Sequence, residues 1–333
     1  MEAHLALVPR PLRIVIPGGS GQVGQMLARY FQRLDHHVTV LTRGPYAAPW
    51  QTVHWDGEHL GPWTEHLEGA DVCINLAGRS VNCRYTPENR TAIYDSRIRT
   101  TQLLGDVIGG LADPPKVWLN ASTATIYRHA LDRPMDEVTG ELGGNEWVSK
   151  RRRAPDTWNF SIRVAKDWEA AFFEAYTPRT RKVALRSAIT MSPTPGNAFA
   201  IFLNLVRLSL GGSQGNGRQF VSWIHEQDFA RAVEFLIVRD DLEGPVNLAA
   251  PHPLPNRDFM AAMRDAWGMP NGFPTPSLLL EIGAFFLRTE SELVLKSRRV
   301  VPRRLLEAGF EFQFPEWAQA AENLVDQWRH RND

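Results

Sequence analysis

Apolar residues in the first half of the chain fall into two alternating kinds of segment. "LRIVIPGG" from Leu12 is a short β-branched run that closes in glycine. "QVGQMLARYFQRLD" follows it, with Val23, Met26, Leu27, Tyr30, Phe31 and Leu34 at helical spacing, so the pattern predicts strand, tight turn and helix. "HHVTVLTRG", "TVHWDG" and "ADVCINLAG" read as three further buried strands. "RTAIYDSRIRTTQLLGDVIGGL" then predicts a long amphipathic helix, and "PKVWLNASTATIY" a strand running into small hydroxylated residues. The helix "VAKDWEAAFFEAY" and the strand "RKVALRSAITMSP" extend the alternation. Continuous apolar strands alternating with helices imply a parallel sheet covered on both faces.

The pattern changes after about residue 190. An apolar helix, a glycine-rich loop and one more strand-to-helix passage lie in "TPGNAFAIFLNLVRLSLGGSQGNGRQFVSWIHEQDFARAVEFLIV", and prolines become frequent from Pro251. The expected class is α/β, a Rossmann-type doubly wound parallel sheet with a smaller C-terminal α/β lobe for substrate. Residues 12–185 and about 222–250 make the first unit. Residues 186–221 and 251–333 make the second, and 1–11 are a loose extension. The basic cluster Lys150 to Arg153 reads as a solvated loop.

Composition narrows the function. The 37 basic residues balance 37 acidic ones, so no global field draws nucleic acid or an anionic membrane. Cys73 and Cys83 are the only cysteines and suggest neither a disulfide framework nor a metal site. No apolar run approaches the ~18 residues of a spanning helix. The expectation is a cytoplasmic protein whose partner is a small-molecule substrate.

The candidate chemistry begins in "IVIPGGSGQVGQML". Gly18, Gly21 and Gly24 have the spacing G-x-x-G-x-x-G, with Gly19 in addition. A helix N-terminus presents unpaired N–H groups and the positive end of the helix dipole, and both attract phosphate. In a dinucleotide site the first glycine makes the turn, the second lets pyrophosphate approach and the third lets helix and strand pack. Ser20, Gln22 and Val23 complete the turn. An acidic residue at the end of the second strand would hold the ribose of NAD, whereas an arginine accommodates the extra phosphate of NADP. The chain has Thr42 and Arg43 there, so NADP(H) is expected over NAD(H), with Ser20 as a second phosphate contact and an exposed strand-end Arg43 as the alternative.

Together these residues resemble the extended and atypical short-chain dehydrogenase/reductase superfamily of NAD(P)-dependent epimerases and dehydratases. The landmarks are the glycine spacing, "NLAG" at Asn75 to Gly78, "STATIY" at Ser122 to Tyr127 and "GNGRQFVSWIHEQDFA". "ELVLKSRRVVPRRLLEAGFEFQFPEW" resembles the C-terminal domain of unknown function of a nucleoside-diphosphate-sugar epimerase-like branch. The resemblance covers Leu12 to Trp317. It implies that Leu76, Ala77 and Gly78 line the cofactor, that Asp56 faces the adenine and that Thr123 contacts the substrate hydroxyl. It also implies that Arg218, Gln219, Trp223 and His225 lie near the substrate cleft. A packed strand with a helix cap at Asp228 is the other reading of "SWIHEQDF". Superfamily members often dimerise through two long helices, here those containing Leu103 and Trp168.

One departure bears on the chemistry. The superfamily uses a Tyr-x-x-x-Lys pair on one helix face, with the ammonium lowering the tyrosine pKa for proton exchange. Tyrosines 30, 46, 85, 94, 127 and 176 are followed four places later by Leu34, Trp50, Asn89, Ile98, Leu131 and Thr180. Aligned on Glu169, the tyrosine and lysine positions hold Ser161 and Ala165, with Arg163 and Lys166 on other faces. Tyr127 as a phenol and His225 as a relay near neutral pH are the replacements considered, with a residue packed at a strand end as the favoured reading of Tyr127. A second departure is Val221, where sugar-nucleotide epimerases carry a diphosphate-binding arginine; Arg218 comes three residues early.

Overall fold

The computed structural model describes residues 10–144, 147–149, 152–276 and 295–332. Its strands are β1 (Arg13–Pro17), β2 (His37–Thr42), β3 (Gln51–His54), β4 (Val72–Asn75), β5 (Val117–Thr123), β6 (Trp147–Ser149), β7 (Arg152–Arg153), β8 (Arg181–Ser187), β9 (Ile189–Met191), β10 (Phe220–Val221), β11 (Trp223–His225), β12 (Gly244–Leu248) and β13 (Leu254–Pro255). The helices are α1 (Gln22–Arg33), α2 (Pro87–Gly110), α3 (Asp156–Glu174), α4 (Ala198–Arg207), α5 (Glu226–Val238), α6 (Asn256–Trp267), α7 (Arg303–Glu307) and α8 (Trp317–Asn332).

Seven of the strands form one sheet in the order β3-β2-β1-β4-β5-β8-β12, with every pairing parallel. The period of two along each strand decides which face a residue serves. Ile14 and Ile16 of β1, Val72 and Ile74 of β4, and Val117 and Leu119 of β5 pack with α1 and α5 on one face. Val15, Cys73 and Trp118 point the other way and pack with Leu104 and Ile108 of α2 and Phe172 of α3. Both faces are dry, which is why these strands read as unbroken apolar runs. α1 buries Gly24, Leu27, Ala28 and Phe31, one stripe at helical spacing, and each large side chain contributes about 1.5–3 kcal/mol.

Chain order reverses on either side of β1 and β4, so their C-terminal ends flank the crevice where ligands bind in sheets of this kind. A second cluster joins α4, α6 and α8 around Phe202, Phe259 and Trp317. Two features differ from the expected boundaries. Leu305 of α7 and Phe310 pack in the sheet's own core, so part of the segment assigned to the second lobe belongs with the sheet. Residues 1–9 of the expected extension, with Lys150 and Arg151 of the basic cluster, lie outside the described residues. Arg10, at the end of that extension, pairs with Asp71 at 2.5 Å.

Candidate functional site

β1 ends at Pro17, and Gly18 turns the chain at φ +72°, a conformation that L side chains rarely adopt. A Cβ there would also stand 2.6 Å from Cα of Ala77. The Gly18 amide donates to the Leu41 carbonyl at 2.9 Å and the Leu76 amide to the Pro17 carbonyl at 2.8 Å, so the ends of β1, β2 and β4 meet at one turn. Gly21 is the extended N-cap residue of α1, and no side chain caps the helix. A Cβ on Gly21 would meet only the Gly18 carbonyl oxygen, 3.8 Å away, whereas one on Gly24 would overlap the backbone of Gly19. The turn therefore needs Gly18 for its shape and Gly24 for helix approach, and it leaves the first amides of α1 open on the side of Gly21. Gln22 and Gln25 direct their amides to the Pro195 and Ser20 carbonyls, and Val23 is half-buried against the core.

Beside this turn is a cleft of about 330 Å³ lined by Ser20, Gln25, Thr42, Arg43, Gly44, Pro45 and Tyr46. Thr42 is buried and donates to the Gly44 carbonyl, which holds the strand end in place. Arg43 is exposed and forms no ion pair or hydrogen bond among the described residues. The cleft contains no carboxylate. Asp56 is engaged elsewhere: its oxygens accept from the amides of Glu58 and His59 and from the His59 ring at 2.8–2.9 Å, holding its pKa well below the usual carboxylate range. It shapes the loop after β3 and has little capacity left for adenine. After β4, the fully buried Asn75 accepts from the Ala77 amide at 3.0 Å and donates to Asn120 at 2.7 Å, fixing the Leu76–Gly78 loop against the glycine turn.

Thr123 ends β5, and its hydroxyl accepts from the Thr125 amide at 3.1 Å. Ser122, its neighbour, points into a buried network. Its hydroxyl donates to Glu169 at 2.5 Å, Glu169 forms a two-point pair with Arg186 at 2.8 and 2.7 Å, and Arg186 donates to the Tyr127 hydroxyl at 2.9 Å. Tyr127 in turn donates to Asn247 at 3.0 Å. It is 1% exposed and burial raises its pKa, so Tyr127 is the residue packed at a strand end and not the proton donor. A C-terminal strap crosses the same region, where Lys296 donates to the Thr125 carbonyl at 2.8 Å.

The groups expected around the substrate cleft are dispersed. Trp223 is fully buried and packs edge-on against Trp317, because the alternation in β11 turns it into the second lobe's core. Gln219 is buried with its amide on the Gln214 carbonyl at 2.7 Å, and Arg218 is exposed on a glycine turn. His225, not Asp228, caps α5: its Nδ1 accepts from the Gln227 amide at 3.1 Å, so Nε2 carries the proton and donates to Asn323 at 3.1 Å. Asp228 instead accepts from the amides of Gln313 and Phe314 at 2.8 Å.

Burial lowers the His225 pKa to about 4, so it cannot relay protons near neutral pH. Its effect is on stability. The unfolded ring titrates near 6.5, so between that value and about 4 the unfolded chain binds more protons. His225's contribution is thus complete above about pH 6.5 and is lost as the pH falls through the window, by on the order of 3 kcal/mol. Urea unfolding at pH 7.5 and 4.5 is expected to show this loss, with a shallower pH slope in His225→Asn; parallel slopes would contradict it.

Ser161 and Ala165 occupy the face of α3 toward the turn after Thr123, where Ala165 packs with Ala124. Tyr85, from the loop before α2, places its hydroxyl 3.4 Å from the Ser161 hydroxyl and packs edge-on against Phe160. Arg97 of α2 lies against the ring of Trp168 on α3, 5.2 Å from its centroid, with no carboxylate partner among the described residues. A Cβ on Gly78 would meet its guanidinium at 3.2 Å. Tyr85 and Arg97 come from α2 and the loop before it, while Ser161 and Trp168 lie on α3, so spacing along a single helix cannot show either contact. Among the described residues no cluster of His, Cys, Asp and Glu could hold a metal, and no helix is long and apolar enough to cross a membrane.

Comparison with known proteins bears on the family and the fold. Residues 14–150 match the NAD dependent epimerase/dehydratase family, and residues 275–324 match a domain of unknown function, DUF1731. An epimerase family protein of Staphylococcus epidermidis is 30% identical over 313 residues, covering 94% of this chain and 99% of its own. The Bos taurus epimerase family protein SDR39U1 is 30% identical over 94% of this chain and all of its own length. The crystal structure of human SDR39U1 with NADPH superimposes with a TM-score of 0.80 at 28% identity, covering 94% of this chain and 99% of that one.

Proposed function

Since the chain belongs to the NAD dependent epimerase/dehydratase family, we propose that it is an NADP(H)-dependent oxidoreductase or epimerase that acts in the cytoplasm on a small hydroxyl, carbonyl or nucleotide-sugar-like substrate. The observation that carries the cofactor choice is the cleft between the glycine turn and the end of β2, which offers the Arg43 guanidinium and the Ser20 hydroxyl and no carboxylate. A ribose phosphate fits that chemistry, whereas a bare ribose diol lacks its usual carboxylate partner. A structure with NADPH in a relative of 28% identity supports the same reading.

Bound NADP(H) would supply or accept hydride. The chain's own part is to hold and orient: the open amides of α1 take the pyrophosphate, Arg43 the ribose phosphate, and the Leu76–Gly78 loop the rest of the cofactor. Thr123, at the mouth of β5, anchors the substrate oxygen. Arg43→Ala is expected to weaken NADPH binding about ten- to hundredfold, the worth of a charge-assisted contact, while leaving NADH affinity unchanged. Equal effects on both nucleotides, measured by fluorescence titration, would overturn the assignment.

A second reading has its own observation. With Ser161 and Ala165 in the places of the tyrosine and lysine, the fold also suits a non-catalytic NADP(H) sensor that binds a partner. Partner affinity that shifts with cofactor by a coupling of about 1–3 kcal/mol would favour it. Hydride transfer to a substrate would count against it.

A further inference from the structure

The catalytic position on α3 has lost its phenol, yet the structure puts another phenol beside it. Tyr85 reaches that position from the loop before α2, with its hydroxyl 3.4 Å from Ser161, the residue standing where the superfamily's tyrosine would be. Its ring is held edge-on by Phe160 at 5.2 Å and its carbonyl by the Arg90 side chain at 3.0 Å, so its place is fixed by two different helices. It is half-buried.

A positive charge lies close by on α2. Arg97 is held between the Gly78 loop and the Trp168 ring, and a main-chain carbonyl, that of Ile93 at 3.0 Å, is its hydrogen-bond acceptor. Ile93, which anchors the guanidinium, packs in the same cluster as Phe160 and Tyr85, so the charge is tied to the element that faces the phenol. Burial pushes the Arg97 pKa down to about 10. A guanidinium set against the Gly78 loop with no carboxylate partner among the described residues is costly to keep there for packing alone.

We infer that Tyr85 and Arg97 reconstitute in space the proton donor and cation that the chain lacks in sequence: Tyr85 is the catalytic acid/base and Arg97 the positioning charge that stabilises its phenolate. The inference rests on the oxidoreductase reading above. In the reductive direction the Tyr85 O–H bond breaks and a substrate O–H bond forms. The carbonyl carbon gains hydride from the reduced nicotinamide, so the carbonyl is reduced by two electrons and the nicotinamide oxidised. Solvent then reprotonates the phenolate. Ser161 accepts or donates one hydrogen bond at the phenol throughout. Among the described residues the other charged and titratable groups packed around Tyr85 include Arg90, which is paired with Asp156 at 2.6 Å, Arg163 over the Phe160 ring, Tyr94 of α2 and Cys83 in its own loop.

The test needs no known substrate. Tetranitromethane attacks phenolate, so nitration at pH 7.5, located by peptide mass spectrometry in a Cys83→Ser background, reports ionisation of each tyrosine. Tyr176, 82% exposed, is the internal standard. Tyr85 is expected to react faster than Tyr176 despite its burial, to slow about tenfold in Arg97→Met, and to recover in Arg97→Lys. Tyr176 should not change. Tyr85 reacting no faster than Tyr176, or at the same rate with and without the Arg97 charge, would overturn the proposal. In parallel, Tyr85→Phe keeps the packing on Phe160 and should leave NADPH affinity intact while cutting reduction of an α-dicarbonyl probe, 9,10-phenanthrenequinone, about a hundredfold or more. Retained reduction would also overturn it. Absence of NADPH binding in the unmodified protein would instead sink the underlying function, which keeps the two failures distinct.

Discussion

Glu169→Ala is expected to destabilise the protein by about 3–5 kcal/mol, the usual result of stranding one partner of a buried ion pair. Glu169 and Arg186 are both largely shielded from water, and the carboxylate satisfies Ser122 as well as both contacts to Arg186. Without it, the guanidinium keeps, among the described residues, the Tyr127 hydroxyl at 2.9 Å and the ring face of Tyr127. The network joins α3 to β5, β8 and β12, so the loss should also loosen α3 and with it the placement of Ser161 relative to Thr123. Urea unfolding monitored by tryptophan fluorescence measures the change. Replacing both partners by apolar residues, as in Glu169→Leu with Arg186→Met, is expected to restore most of the stability, because no unpaired charge remains. A loss below about 1 kcal/mol in the single variant would show the pair to be hydrated and the network incidental.

The second large effect concerns the glycine turn. Gly24→Ala places a Cβ inside the backbone of Gly19, and α1 cannot retreat freely because Leu27 and Phe31 hold it in the core. Overpacking of this kind costs about 1–3 kcal/mol, and the displaced turn should reduce NADPH affinity about a hundredfold or more. Gly21→Ala separates the two roles. The protein offers a Cβ at Gly21 no contact nearer than 3.8 Å, so stability should stay within about 0.5 kcal/mol of the parent. NADPH affinity should nevertheless fall about tenfold or more, since the added methyl occupies the path of the pyrophosphate. A stable Gly21→Ala variant with unchanged affinity would mean that nothing approaches the turn from that side.

Much of this was legible in the sequence because it depends on local pattern. The parallel sheet follows from apolar runs buried on both faces, and the order of glycine roles follows from spacing: φ +72° at Gly18, open space at Gly21 and close approach at Gly24. Arg43 was legible by its position at the end of β2. The failures have a different origin. A buried strand and a ligand-facing strand read alike, so Trp223 and Gln219 needed the second lobe's packing before their burial could be seen. His225 looked titratable because its partner Asn323 is ninety-eight residues away. Tyr85 and Arg97 are separated from Ser161 and Trp168 by some seventy residues, and no local spacing signals contact at that distance. Leu305 and Phe310 were assigned to the wrong lobe for the same reason: chain continuity said one thing and the core another.

The most direct test of the account is an equilibrium titration of the unmodified protein with NADPH and NADH in parallel, following nicotinamide fluorescence. The glycine turn and Arg43 together predict saturable NADPH binding at least about tenfold tighter than NADH, a difference of about 1.4 kcal/mol or more. Equal affinity would remove Arg43 from the site, and no binding of either nucleotide would reduce the three glycines to a tight turn between β1 and α1.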